Sequence, residues 1–385
     1  MPNYSVHPKA PLLFRDARPF GGGDTAETLA FPLPSTLAGA FRTAYGDAIE
    51  LDFSTQADQL LDVDVHGPIL QEINSVTQQS RLLIPTPADA LCLAEEDEQG
   101  DVIYRLTPQE LKNGGGCDLP HPDLLPVFPN TESMAKPKKD AAKFWYLDDV
   151  VDWLTDDSLQ HRSAENIGRV CLPVETRTHV AIGKHFTAED GRLFQTSGLD
   201  FSEQWDEQHK FWSPYHYALS IHSSAKLDDV YRRVGGEGRL AEILRQDDLW
   251  PTCPESLAKA LATSKGLRIQ LVTPAIFDHG WRPSWLDKSL TGELHGLTLK
   301  LRAMAVPRWQ PVSGWDMRPG KNSKQQRGQR PVQRMAPAGS VYWFEIQGNA
   351  SAATALWLRS VSDQRNQDGF GLALPGVWHP ESISN

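Results

Sequence analysis

The chain has 385 residues, of which 40% are hydrophobic and 23% charged, and it carries a formal net charge of −11. That length allows two domains, each large enough to bury a core, and the composition is that of a folded chain and not a disordered one. The acidic balance excludes indiscriminate binding to nucleic acid, so any contact with RNA has to come from local basic patches.

No apolar run approaches the ~18 residues of a membrane span. The opening MPNYSVHPKAP lacks the basic-then-apolar order of a secretory signal, and residence in the cytoplasm is the default expectation. Cys92, Cys117, Cys171 and Cys253 are widely spaced, with no CxxC pair and no histidine at ligand spacing. Four free thiols are expected, with neither a disulfide framework nor a zinc site.

In chain order, Pro11 to Arg42 is the least ordinary stretch. Arg15, Asp16 and Arg18 crowd together ahead of Pro19 and Phe20, and Gly21, Gly22 and Gly23 follow. Such a loop can bring amides and guanidinium groups close to a phosphate. Local ion pairing of the arginines is the plain alternative. Pro32 and Pro34 hold the approach to a helix that Ser35 or Thr36 can cap, with Leu37, Ala40, Phe41, Ala44 and Tyr45 on one face and Gly46 as its end.

A short helix and then a strand are expected between Ala48 and Ser80. Within 90–106, the runs LCLA, EEDEQGD and VIYRL predict a hairpin with an acidic, solvated tip. Residues 107–143 are rich in glycine, proline and lysine and lack periodicity, which predicts a long excursion. Phe144 to Leu154 reads as an amphipathic helix with Asp148, Asp149 and Asp152 outward. VETRTHVAI, 174–182, alternates and puts Arg177 and His179 on one face of a hairpin completed by RLFQTSGLDF; that face meets either RNA or water. Tyr215 to His222 alternates again, and six residues of strand hold His216 and His222 roughly 20 Å apart, too far to share a metal ion.

Gly235 to Arg239, GGEGR, predicts a tight turn in which Arg239 anchors structure or touches a phosphate, followed by a helix LAEILR. Its glycine spacing fits neither a P-loop nor a dinucleotide fingerprint. WPTCP at 250–254 is the best boundary, giving domains 1–250 and 255–385. Beyond it come a helix SLAKALA, a strand LRIQLVTPAIF and a strand TLKLRAMAVP with Lys300 and Arg302 outward. Arg308 to Arg334 is the most basic segment, with Arg308, Arg318, Lys321, Lys324, Arg327, Arg330 and Arg334 against Asp316 alone. Trp309 and Trp315 are interleaved with these cations, a combination suited to single-stranded RNA, whose phosphates attract cations and whose bases stack on rings. The stretch 318–334 has few apolar residues and reads as a loop that orders on RNA or a partner, with a disordered linker as the alternative. SVYWFEIQ is a central strand, Ala352 to Arg359 a short helix, and Gly369 to Gly376 a glycine-rich turn.

Several of these stretches carry a family resemblance. RDARPFG and PSTLAGAFRT resemble the N-terminus of the third-subunit family of the Cmr effector complex of type III-B CRISPR systems, within the RAMP superfamily. GGEGR, TPAIF at 273–277, Gly314 with Trp315, AGSVYWF at 338–344 and GFGLALPG at 369–376 resemble the same family in the same order. The resemblance implies an α+β fold of two ferredoxin-like (RRM-like) modules with hairpin and loop insertions. It makes the 107–143 excursion a candidate thumb, and it places Gly369, Gly371 and Gly376 on a loop beside the RNA path. Implied partners are the CRISPR RNA, the large signature subunit and the backbone subunit.

As an enzyme the chain is unpersuasive, because it has no nucleophile elbow, HExxH, Walker motif or kinase set, and no cofactor or metal is expected. Three functions are carried forward. The leading one is a noncatalytic subunit that holds the 5′ tag of the guide RNA and bridges the signature subunit to the backbone. The second is a metal-independent precursor-RNA endonuclease of the same superfamily, with His7 and His179 as candidate acid–base groups. The third is an architectural adaptor without RNA contact. The expected RNA contacts are Arg15, Arg18, Arg42, Arg239, Lys321, Lys324, Arg327 and Arg330, with Gly369 and Gly371 shaping the path.

Overall fold

Alternation of inward and outward side chains dominates the sequence, and it produces antiparallel sheets, of which the two largest have eight and six strands. The computed structural model describes residues 1–15, 28–94, 101–111, 114–207, 209–319 and 326–381. The first sheet orders its strands Val230–Arg233, Leu240–Arg245, Asn3–Pro8, Tyr215–Ser223, Val65–Asn74, Ser80–Pro85, Phe144–Tyr146 and Gly168–Arg169. The second orders Thr291–Leu294, Leu297–Ala305, Val341–Gln347, Gly266–Leu271, Leu372–Trp378 and Arg359–Ser360. The result is a mixed, strand-rich architecture.

Helix α1, Pro34–Ala48, covers one face of the first sheet. Its Leu37 and Phe41 pack on Tyr4, Val6, Leu219 and Ile221, with the Tyr4 and Phe41 rings 4.8 Å apart. The opposite face contributes Ile69, Ile84 and Trp145 to a second core, together with α2, Leu147–Thr155, α3, Glu255–Thr263, and the second sheet. The strands of the two sheets fall on either side of Trp250, but this core runs continuously through both.

At the C-terminus of α2 two fully buried arginines replace the missing helical donors. Arg105 Nη2 donates to Trp153 O at 2.9 Å and Arg268 Nη2 to the same oxygen at 2.7 Å. Asp89 lies between them, 3.1 Å from Arg268 Nη1, and accepts from Trp153 Nε1 at 2.9 Å. A hairpin of the first half and a strand of the second are thereby fixed to one helix end.

Several sequence expectations need correction. LAEILR is the strand Leu240–Arg245, because pairing with Asn3–Pro8 buries Ala241 and Ile243 on one face and overrides the helical propensity. Helix α1 runs past Gly46 to Ala48, and a Cβ on Gly46 would lie 2.7 Å from Phe53 Cζ, so a larger residue there displaces the Phe53 ring. The excursion does not stand out as a thumb in its described part. Leu124 enters the core, Leu125 N donates to Arg302 O at 2.8 Å, and Val127–Pro129 pairs with Val102–Pro108. The hairpin that does stand off is Val174–Ile182 with Ala188–Leu199, where burial begins only at Thr196. Arg308 to Arg334 is not a structureless loop either: Gln310–Val312 pairs with Gln333–Met335, and Trp315–Pro319 with Gln326–Gln329. Gly376 belongs to the buried strand Leu372–Trp378, and only Gly369 to Gly371 form a turn.

Gly369 sits at φ 90°, and a Cβ on it would meet the carbonyl oxygens of Gly67 at 2.6 Å and Val65 at 2.9 Å. Gly369→Ala is therefore expected to destabilise the protein by about 1–3 kcal/mol or more, since neither backbone can yield. Gly39→Ala, on the exposed side of α1 with nothing within 4 Å, is expected to stabilise it by about 0.5–1 kcal/mol. Denaturant unfolding of the two variants checks both signs.

Candidate nucleic-acid interface

The segment after the first strand is held from both sides. Leu12 and Leu199 exchange backbone hydrogen bonds of 2.9 and 2.8 Å, which ties it to the base of the 174–199 hairpin. Gly236 N donates to Leu13 O at 2.8 Å, and a Cβ on Gly235 would lie 2.6 Å from that oxygen. The GGEGR turn thus lies directly against Leu13. Arg15 forms a backbone bridge with Thr28, whose own N–H reaches Ser197 Oγ at 3.1 Å. The two ends of the arginine- and glycine-rich loop are therefore clamped beside the hairpin base. Arg18 and the three glycines lie outside the described residues.

Arg239 shares this corner, bonded to Glu237 at 2.7 Å. On the hairpin the expected polar face is the more covered one: Arg177 pairs with Glu175, and His179 stacks on Phe194 at 5.1 Å and bonds Thr196 Oγ1 at 2.8 Å. Val174, Val180 and Ile182 face outward.

A second group of motif residues converges at the start of α1. Ile276 of TPAIF, Val312 and Met335 at the base of the basic hairpin, and Phe370 of the GFG turn form one buried cluster, with Leu33 against it. Thr273 Oγ1 donates to Gly369 O at 2.7 Å and accepts from Leu372 N at 2.9 Å. A Cβ on Gly371 would meet Ser362 N at 2.5 Å. Gly369 and Gly371 are small because polypeptide presses on them. Arg42 likewise departs from its expected role. It is 7% exposed, pairs with Asp368, and donates to Val63 O and Gln367 O at 2.9 Å each, which leaves it no face for RNA. Arg365 adds a second guanidinium on Asp368 at 3.1 Å and lies 4.9 Å from the Phe370 ring.

From this joint the basic hairpin projects. Arg334 stacks on Trp309 at 4.8 Å, and Trp309, Trp315 and Met317 are exposed. Arg318 is held by Asp316 at 2.6 Å and by Asp58 at 2.7 Å; its hydrogen bonds pull the Asp316 carboxyl down to about 2. Arg330 is in the hairpin, its N–H bonded to Gly314 O at 2.8 Å. Lys321 and Lys324 lie outside the described residues, and Arg327 is described only by its backbone.

Sequence reasoning missed a cleft of about 630 Å³ beside the first sheet, lined by His7, Lys9, Phe201, Glu203, Trp212, His216 and Tyr217 among others. The shared parity of His7 and His216 on neighbouring strands was the available signal; the contribution of Trp212 had none. Among the described residues no group of three His, Cys, Asp or Glu side chains could hold a metal ion.

The family described as CRISPR-associated protein (Cas_Cmr3) matches residues 4–378 of the chain. No curated protein matches it. Among solved structures, chains of the type III-B Cmr-beta complex bound to cognate target RNA, with and without AMPPnP, are similar at 13% identity and a TM-score of 0.47. The likeness covers 89% of this chain and 86% of theirs.

Burial, aided by His216 and Lys9, pushes the His7 imidazole down to about 4, and burial with His66 and the amino terminus does the same to His222. The unfolded chain, titrating near 6.5, therefore takes up these protons first as the pH falls. Stability should be intact above pH 6.5 and decline between 6.5 and 4, by roughly 1–3 kcal/mol for His7 and by less for His222, which solvent screens more. His7→Gln should remove one share of that decline, measured by denaturant unfolding at pH 7, 5.5 and 4.5; an unchanged pH slope contradicts the assignment.

Proposed function

The chain belongs to the Cas_Cmr3 family of CRISPR-associated proteins, and on that premise we propose that it is a noncatalytic type III-B effector subunit that grips the 5′ tag of the CRISPR RNA. In this reading it also bridges the large signature subunit to the backbone subunit. The observation that carries the RNA reading is a convergence. Thr28, paired with Arg15, and Leu33, packed at the base of the basic hairpin, are five residues apart, so at most about 18 Å separates them. The signature loop, the GGEGR turn, the free-standing hairpin and the cation-and-tryptophan hairpin therefore issue from neighbouring places.

Arg15, Arg18, Arg239 and the cations from Lys321 to Arg330 are the proposed phosphate contacts. Exposed Trp309 and Trp315 would take bases. Each sheet is read as a ferredoxin-like module. The spatial order Leu240–Arg245, Asn3–Pro8, Tyr215–Ser223, Val65–Asn74 in the first sheet supports this, as does Leu372–Trp378, Gly266–Leu271, Val341–Gln347, Leu297–Ala305 in the second. In each, the first strand in sequence lies between the last and the third.

Reversing the charges of Lys321, Lys324, Arg327 and Arg330 should weaken guide-RNA binding and lower its log–log salt slope by about 0.7 for each phosphate that is no longer neutralised. An unchanged slope removes this hairpin from the interface. Site-specific cleavage of repeat RNA by the purified protein in EDTA would instead establish the endonuclease. Absence of any RNA crosslink in the assembled complex would leave the adaptor.

A further inference from the structure

The cleft beside the first sheet has a chemistry different from that of the two hairpins. Its lysine is already neutralised, since Lys9 Nζ lies 2.6 Å from Glu242 Oε2. His7, 6.4 Å from His216 between ring centroids, is uncharged at neutral pH. Glu203 adds a carboxylate, which repels phosphate and accepts hydrogen bonds from amino groups. The remaining surface is aromatic. Phe201 is buried, whereas Trp212 is 62% exposed and braced edge-on by Trp205 at 5.6 Å, on a short strand pair in which Trp205 faces Trp212.

A site with rings, two imidazoles and a carboxylate, whose one lysine is paired with Glu242, suits a flat, uncharged ligand with donors on its edge. It does not suit a phosphate. The 630 Å³ of space admits a heterocycle the size of a nucleobase, and a tryptophan held by a second tryptophan offers a stacking surface already in place. The chain that leaves the strand of His7 runs on through Lys9, Leu12 and Leu13 to Arg15, so the cleft and the signature loop lie along one stretch of backbone.

We propose that this cleft, formed by His7, Phe201, Glu203, Trp212, His216 and Tyr217, is a nucleobase-binding site that receives one unstacked base of a bound RNA strand, on Trp212. The inference rests on the RNA-binding reading above and adds a specific subsite to it. The backbone of that strand would be held by the cations elsewhere, while the cleft reads only the base.

The test uses the full-length protein and a guide RNA in which a single abasic ribose is moved one nucleotide at a time along the strand. One abasic position should weaken binding to the wild-type protein by about tenfold, as expected when one base no longer stacks. Trp212→Ala should weaken binding of the intact RNA by a similar factor and lose sensitivity to that one position. Trp212→Phe should restore most of both effects. Because Trp212 is exposed, a folding defect is not expected, and a second variant, His216→Ala, should change the discrimination among bases placed at that position. If intact RNA binds but the abasic and Trp212→Ala effects are additive at every position, the cleft is not a base site and the RNA-binding reading stands. If the wild-type protein binds no guide RNA, both fall.

Discussion

The ion pair between Arg42 and Asp368 is the contact on which the arrangement of the molecule most depends. Arg42 projects from α1, the helix that covers the first sheet, and Asp368 ends a short 3-10 turn that leads into the buried strand Leu372–Trp378 of the second. Both groups are nearly excluded from water, so the pair persists only because its remaining donors are also satisfied, at Val63 O and Gln367 O. The next residue, Gly369, then presses against the backbone of Gly67 closely enough to forbid a side chain. A charged clamp beside a backbone-to-backbone contact gives the joint little room to vary.

This joint explains why residues scattered along the sequence are of restricted type. Leu33, Ile276, Val312, Met335 and Phe370 come from five separate stretches and form one small cluster, and the basic hairpin begins where that cluster ends. The hairpin's position is therefore set by the contact between the two halves. The buried arginines at the end of α2 make a second tie, through Asp89 and the carbonyl of Trp153. With two such ties and a common core, neither sheet carries its exposed elements independently of the other.

Much of the strand pattern was legible from alternation alone, as in 174–182 and 297–305, where one face is more covered than the other, and in 215–222, although both faces of that strand are buried. The failures have a common cause. LAEILR has helical composition, and its pairing on one edge with Asn3–Pro8, more than two hundred residues away, and on the other with Val230–Arg233 makes it a strand. The excursion at 107–143 lacks periodicity because its contacts are short, such as the anchors Leu124 and Leu125 and the three-residue pairing of Val127–Pro129. At the candidate interface, residue type identified Arg42 as a cation and Gly369 as a permissive turn, but burial decided their roles. A buried arginine with a carboxylate partner and a glycine pressed by carbonyl oxygens look, in sequence, the same as a phosphate ligand and a phosphate-binding turn.

Two arginines that the sequence offers to RNA are taken up by carboxylates of the chain, Arg42 by Asp368 and Arg318 by Asp316 and Asp58. The central claim is that Arg42 and Asp368 act together to join the halves. A double-mutant cycle of Arg42→Met and Asp368→Asn, followed by denaturant unfolding, measures it most directly. The account predicts a coupling free energy of about 2 kcal/mol or more between the two sites; additive effects, within about 0.5 kcal/mol, would contradict it.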